Sequence, residues 1–149
     1  MANPKPYVAV ACFCDTILED KDGTLSAIRI VDTYWVPRVP TEEVSPEAVP
    51  AIPVTGLIAL KSGEATGSHT IRLVLENPLG VRTQISPPDG WPVVLKGGHA
   101  GLNMRLKFPL GVKNFGQCWF DVLFDDELLT KMPLRLRPAE EREQTDSQS

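Results

Sequence analysis

No run in this chain approaches the roughly 18 consecutive apolar residues of a membrane-spanning helix, and Met1-Ala2-Asn3-Pro4-Lys5-Pro6 has no apolar leader core. Neither a membrane span nor a cleaved export signal is expected. Cysteine is scarce and odd in number, three in 149 residues. That argues against a disulfide framework and for a reducing, cytoplasmic setting. Catalytic and ligand-binding signatures are also missing. No serine sits in a Gly-x-Ser-x-Gly elbow, and no Asp-x-Asp-x-Asp spacing prepares a calcium loop. Lys96-Gly97-Gly98 lacks the strand, loop and helix order of a phosphate cradle.

A strong charge of one sign is missing too. The formal charge is −4, and residues 138–149 carry −3 of it through Glu140, Glu141, Glu143 and Asp146 against Arg142. The remaining body has 15 acids and 14 bases. Phosphate neutralisation needs a basic excess or a basic face, so nucleic acid is not the expected partner. The acidic end reads as a disordered, solubilising tail.

Breakers are abundant, with 14 prolines and 11 glycines, and they favour short strands and turns over helices. No helical pattern extends beyond two turns, and no repeat of fixed period occurs. Leu102, Met104, Leu106 and Phe108 fall on one face of a strand, opposite Asn103, Arg105 and Lys107. Cys118, Phe120, Val122 and Phe124 share another face, Asp125-Asp126-Glu127 interrupts them, and Met132, Leu134 and Leu136 resume against Arg135 and Arg137. This period of two marks half-buried antiparallel strands.

Upstream, Tyr7 to Cys14 is apolar in both phases, which predicts a strand covered on both sides. After the turn dipeptide Asp22-Gly23, the strand from Thr24 to Val31 moves its apolar phase from Leu25 and Ala27 to Ile28 and Ile30, a pattern that predicts a bulge. Five prolines between 37 and 53 predict a crossover rather than a strand, with Ser45-Pro46-Glu47 starting at most one helical turn. Strands resume at 54–61 and 69–76. Asn77-Pro78-Leu79-Gly80 then turns the chain into a hairpin partner, and a short strand at 91–95 follows Pro87-Pro88-Asp89-Gly90. The expected architecture is all-β, a two-layer antiparallel sandwich over 7–137, with short tails at 1–6 and 138–149.

Cys14-Asp15, Asp22-Gly23-Thr24-Leu25-Ser26, Ile28 to Asp32, the C-terminal Gly116-x-x-x-Phe120-x-Val122-x-x-Asp125 and the closing Pro-Leu-Arg-Leu resemble a group of short bacterial proteins of unknown function. That resemblance implies a single immunoglobulin-like sandwich. It brings no activity and no catalytic residues.

Within this frame the candidate chemistry is sparse. Cys12 and Cys14 share a strand face and, with Cys118, His69 or His99, have the ligand types for tetrahedral metal. The spacing is not that of a zinc knuckle, and packing is the expected role, so no metal or cofactor is assigned. His69 shares the phase of core residues, while His99 follows two glycines. The acidic clusters Asp15, Glu19, Asp20, Asp22 and Asp125 to Glu127 read as solvated hairpin tips. Trp119 falls in the outward phase with Asp121 and Leu123. An exposed tryptophan beside leucine marks an interaction patch, unless Val39, Val44 or Ile52 of the proline-rich segment covers it.

The expectation is a non-catalytic cytosolic interaction module that binds a protein partner or itself through a sheet face or edge strand. Trp119 and Leu123 would be buried on binding, and Asp121, Arg105 and Lys107 would set the orientation. Nucleic acid and membrane are not expected partners. Two contrasting readings are a small hydrolase using His99 with the carboxylates of residues 125–127, and a carbohydrate-binding sandwich with Trp35, Trp91 and Trp119 as platforms.

Overall fold

The computed structural model describes residues 4–37 and 51–142. Eight strands follow in order: β1 Tyr7–Glu19, β2 Leu25–Val31, β3 Thr33–Val36, β4 Ala51–Glu76, β5 Arg82–Gln84, β6 Trp91–Gly111, β7 Gly116–Phe124 and β8 Glu127–Pro138. The fold is all-β, as the alternation predicts. Among the described residues no helix is long and apolar enough to cross a membrane.

Two strands build the layers by bending. The first half of β4 pairs with β1 on one flank and with residues 101–111 of β6 on the other. Its second half pairs with β7, and on the opposite flank with β5 and residues 91–96 of β6. The pairs 54–61 with 69–76, and 91–95 with 102–108, expected as separate strands, are therefore continuous. The register slips between Lys61 and Thr66, where Gly63 and Gly67 of β4 and Gly97 and Gly98 of β6 all adopt positive φ. Glycine there lets both strands turn the corner from one layer to the other without losing their partner.

Between the layers the apolar phases meet. Phe120 packs against Phe13 with ring centroids 4.9 Å apart and against Phe108 at 5.9 Å. Ile58, Leu60, Ile71, Leu73, Val122, Met132 and Leu134 are fully buried around them. β8 pairs antiparallel with β7 and parallel with β3, which forms the edge.

Three local expectations are corrected. β1 is not covered on both sides, because it bulges between Val8 and Val10 and leaves Tyr7 and Val10 exposed, with only Phe13 and Cys14 buried. β2 has no bulge, since its pairing with β1 holds one register from Leu25 to Val31. Its phase change comes instead from Arg29, which has φ of 57° and leaves Ile28 and Ile30 exposed. Pro53 belongs to a strand. β1 stops pairing at Thr55, so β4 is flanked there by β6 alone and the missing N–H breaks no ladder. Ser45-Pro46-Glu47 lies outside the described residues. Residues 139–142, the described start of the acidic end, form a single helical turn.

Candidate functional site

The outer face of the β4–β7–β8 layer holds the residues singled out around Trp119. Strand alternation puts Phe120 and Val122 inward and their neighbours outward. Trp119 stands between Glu76 of β4 and Pro133 of β8 and is 37% exposed. The Lys131 ammonium lies 5.9 Å from the centre of its ring, within cation–π reach. Asp121, two residues on, is not a solvated orienting charge, since it is only 5% exposed. Its Oδ2 accepts a hydrogen bond from Arg82 Nη2 at 2.9 Å, and Lys131 Nζ lies 3.4 Å from Oδ1. Arg82 also approaches Glu76 at 3.8 Å. Leu123 is half-buried beside Arg72 and Leu128. Four residues at about 3.3 Å each separate it from Trp119 by roughly 13 Å, with the Asp121 ion cluster between them.

Arg105 and Lys107 do not join this face. They lie on β6 opposite Leu57 and Thr55, next to Leu106 and Phe108, which point between the layers. Phe108 meets Phe120 across the core, so Lys107 and Trp119 leave opposite sides of the sandwich. Arg105 is already engaged by Glu19 at 3.4 Å. Of the five residues expected to act together, only Trp119, Asp121 and Leu123 share this face, with Asp121 held as an internal anchor, and the grouping with Arg105 and Lys107 is corrected. Val39 and Val44 lie outside the described residues, and Ile52 is part of the core.

At one end of the sandwich a second cluster forms. Asp125 and Asp126 both have positive φ, 48° and 68°, and join β7 to β8 in a two-residue turn between the paired Phe124 and Glu127. Aspartate tolerates the left-handed region that such a turn demands. The turn is tied to β4. Asp125 N–H donates to the Thr70 carbonyl, and Thr70 N–H donates to Asp125 Oδ1, both at 2.9 Å. His69 Nδ1 lies 2.5 Å from Asp125 Oδ2, and its Nε2 lies 2.7 Å from the Thr66 carbonyl. Acceptors at both ring nitrogens favour the cationic form of the imidazole. The Asp125 hydrogen bond pushes its pKa above the ordinary range, partial burial opposes this, and the Thr66 carbonyl adds to the rise. Partial burial pushes the Asp125 carboxyl up, but hydrogen bonds from His69 and Thr70 outweigh it and leave the group below its usual range. Arg72 pairs with Asp126, and Lys5 with Glu127 at 3.1 Å, at the same end.

The imidazole on Asp125 is thus that of His69, whose ring also lies 4.6 Å from Phe124. Strand phase identified its packing but missed its ion pair. His99 is exposed on β6 and has no hydrogen-bond partner among the described residues, so the hydrolase pairing of His99 with the tip carboxylates is not assembled. Trp91 packs inward opposite Ile71, whereas Trp35 stands opposite Arg137 on the outer face. The three tryptophans form no common platform. Cys14 and Cys118 are buried and Cys12 half-buried, and burial raises all three thiols above their ordinary pKa. Protonated thiols are poor nucleophiles and poor metal ligands. Among the described residues no three Cys, His, Asp or Glu side chains converge on one point.

No protein-family model matches the chain, and no curated protein matches it. Among solved structures it is similar to an immunoglobulin-like protein from Pseudomonas aeruginosa, at 15% identity and a TM-score of 0.40, over 92% of this chain and 100% of that one. It is also similar to the Pseudomonas fluorescens alkylpurine DNA glycosylase AlkC bound to DNA containing an abasic site analog, at 13% identity and a TM-score of 0.44. That likeness covers 57% of this chain and spans a quarter, 25%, of the glycosylase. The partner expectation, which named a protein or a second copy and excluded nucleic acid, is withdrawn because a DNA-bound protein stands among these neighbours. A likeness this distant assigns no partner in its place.

Proposed function

We propose that the chain is a non-catalytic interaction module that binds through the outer face of β7 and β8. Trp119 carries the reading. A half-open indole beside Pro133, with the Lys131 ammonium over its ring, offers the aromatic anchor on which binding hot spots are most often built. The buried charge beside it, Asp121, is already compensated by Arg82 and Lys131, so covering this face strands no naked carboxylate. The non-catalytic part of the proposal is supported by His69, whose two nitrogens are both engaged, leaving neither free to act as a general base. Cytosolic placement belongs to the same proposal and is supported by three free thiols. Membership of a group of short bacterial immunoglobulin-like proteins is likewise proposed, on the motifs given above.

The test compares immobilised wild-type and Trp119→Ser chains for what each retains from native-host extract, with and without nuclease treatment. Selective retention by the wild type, with both chains equally folded, is expected. Equal retention by the two would overturn the assignment of this face.

A further inference from the structure

The β4–β5 turn and the 112–115 loop between β6 and β7 line a half-open cavity of about 260 Å³ at one end of the sandwich. Its floor is apolar: Leu110, Cys118 and Leu136 are each no more than 3% exposed. Its mouth holds donors. Among the described residues Lys113 supplies the only charge in the lining, and none of them places a carboxylate there. Among the described residues Lys113 has no ion-pair partner. Asn114 at the same mouth makes no side-chain hydrogen bond among them either. Asn77 presents a donor for a specific reason, because its Oδ1 already accepts from Leu79 N–H and Val81 N–H, both at 2.9 Å. Only its amide N–H groups remain available.

The two sides of the mouth approach closely where β7 begins: Gly116 has φ of 131°, and a Cβ there would lie 3.1 Å from the Pro78 side chain. Around it Leu79, Val81 and Phe115 are 71, 56 and 51% exposed, an apolar rim that neither strand pairing nor core packing explains. An apolar floor with a few convergent polar groups is the composition of a small-molecule site. Since an apolar cavity of about 150 Å³ accepts a benzene ring, this one has room for a ring with a short polar arm.

We propose that this cavity binds a small carboxylate with a compact aromatic or branched apolar body. The body rests on Leu110, Cys118 and Leu136, and the carboxylate faces Lys113 and the amides of Asn77 and Asn114. The site lies apart from the Trp119 face and does not depend on it.

The test is titration of phenylacetate into the isotope-labelled full chain, followed through backbone amide NMR signals. Saturable shifts confined to residues 75–85 and 109–118 are expected. Phenylacetamide, of the same shape without the charge, should bind about fivefold more weakly or worse, the scale of one partly exposed ion pair. Lys113→Glu, at an exposed loop position that leaves the fold intact, should abolish phenylacetate binding. Shifts that do not saturate at millimolar ligand, shifts elsewhere in the chain, equal binding of the amide, or unchanged binding by Lys113→Glu would each overturn the proposal.

Discussion

His69 and Asp125, 56 residues apart in the chain, join ring nitrogen to carboxylate at 2.5 Å and so pin the β7–β8 turn to β4. The pair titrates at both ends. The raised pKa of His69 makes its contribution complete below about pH 6.5, the value of an unfolded histidine, and fading as pH climbs through the higher folded value. The lowered pKa of Asp125 makes its contribution complete above about pH 3.9 and fading as pH falls through the lower folded value. Stability from the pair should therefore plateau between those limits. His69→Gln should cost about 1 kcal/mol on the plateau. Melting temperature against pH checks this: the variant should lose the decline on the alkaline side, and a wild-type-like decline in the variant would assign it to another group.

This relationship marks where sequence reasoning stops. Strand phase placed Phe120, Val122, Met132 and Leu134 in the core because alternation is local. It also placed Trp119 outward. Phase says nothing about which strands lie in the same layer, so Arg105 and Lys107, outward like Trp119, were grouped with a residue on the opposite side of the sandwich. Asp121 shows the same limit. An outward carboxylate becomes buried once Arg82, from a hairpin 39 residues upstream, and Lys131 close over it. The corner in β4 and β6 was visible only as scattered glycines, since neither strand alone reveals that Gly63 and Gly98 face each other. The cavity under Lys113 depends on two loops meeting and had no local signal.

Gly90 closes the turn before β6 with φ of 76°, and a Cβ there would lie 2.5 Å from the Thr70 side chain and 2.9 Å from the Ile71 carbonyl. Gly90→Ala combines a left-handed alanine with a backbone clash that a rotamer change cannot relieve. It should destabilise by about 2–3 kcal/mol. Chemical denaturation measures this directly, and a loss below that of an ordinary surface substitution would show that the turn relaxes.

Asp121→Asn keeps the shape of the side chain and removes its charge. Arg82 and Lys131 are each about half exposed, with side-chain accessibilities of 46% and 45%. Both can turn to water instead of remaining buried and unpaired, so the cost should be about 1–2 kcal/mol, below the range for a fully enclosed pair. The Arg82→Gln variant should cost more than Lys131→Gln, because Arg82 makes the 2.9 Å hydrogen bond while Lys131 stands at 3.4 Å. Denaturant midpoints of the three variants decide the order.

Trp119 and Phe120 are neighbours that face opposite ways, which makes them a matched pair for separating binding from folding. Phe120 is fully buried between Phe13 and Phe108, and Phe120→Ala should cost about 3–5 kcal/mol. Trp119 is 37% exposed, set between Glu76 and Pro133 in the sheet and beneath the Lys131 ammonium. Trp119→Ser should cost only about 1–2 kcal/mol, since the ring gives up partial burial and leaves no enclosed cavity. If the face is used for binding, the order reverses when retention of a binding partner is measured, with Trp119→Ser losing it at temperatures where the chain is still folded. A stability loss from Trp119→Ser as large as that from Phe120→Ala would mean the indole is a buried structural element, and the binding role of this face would fall with it.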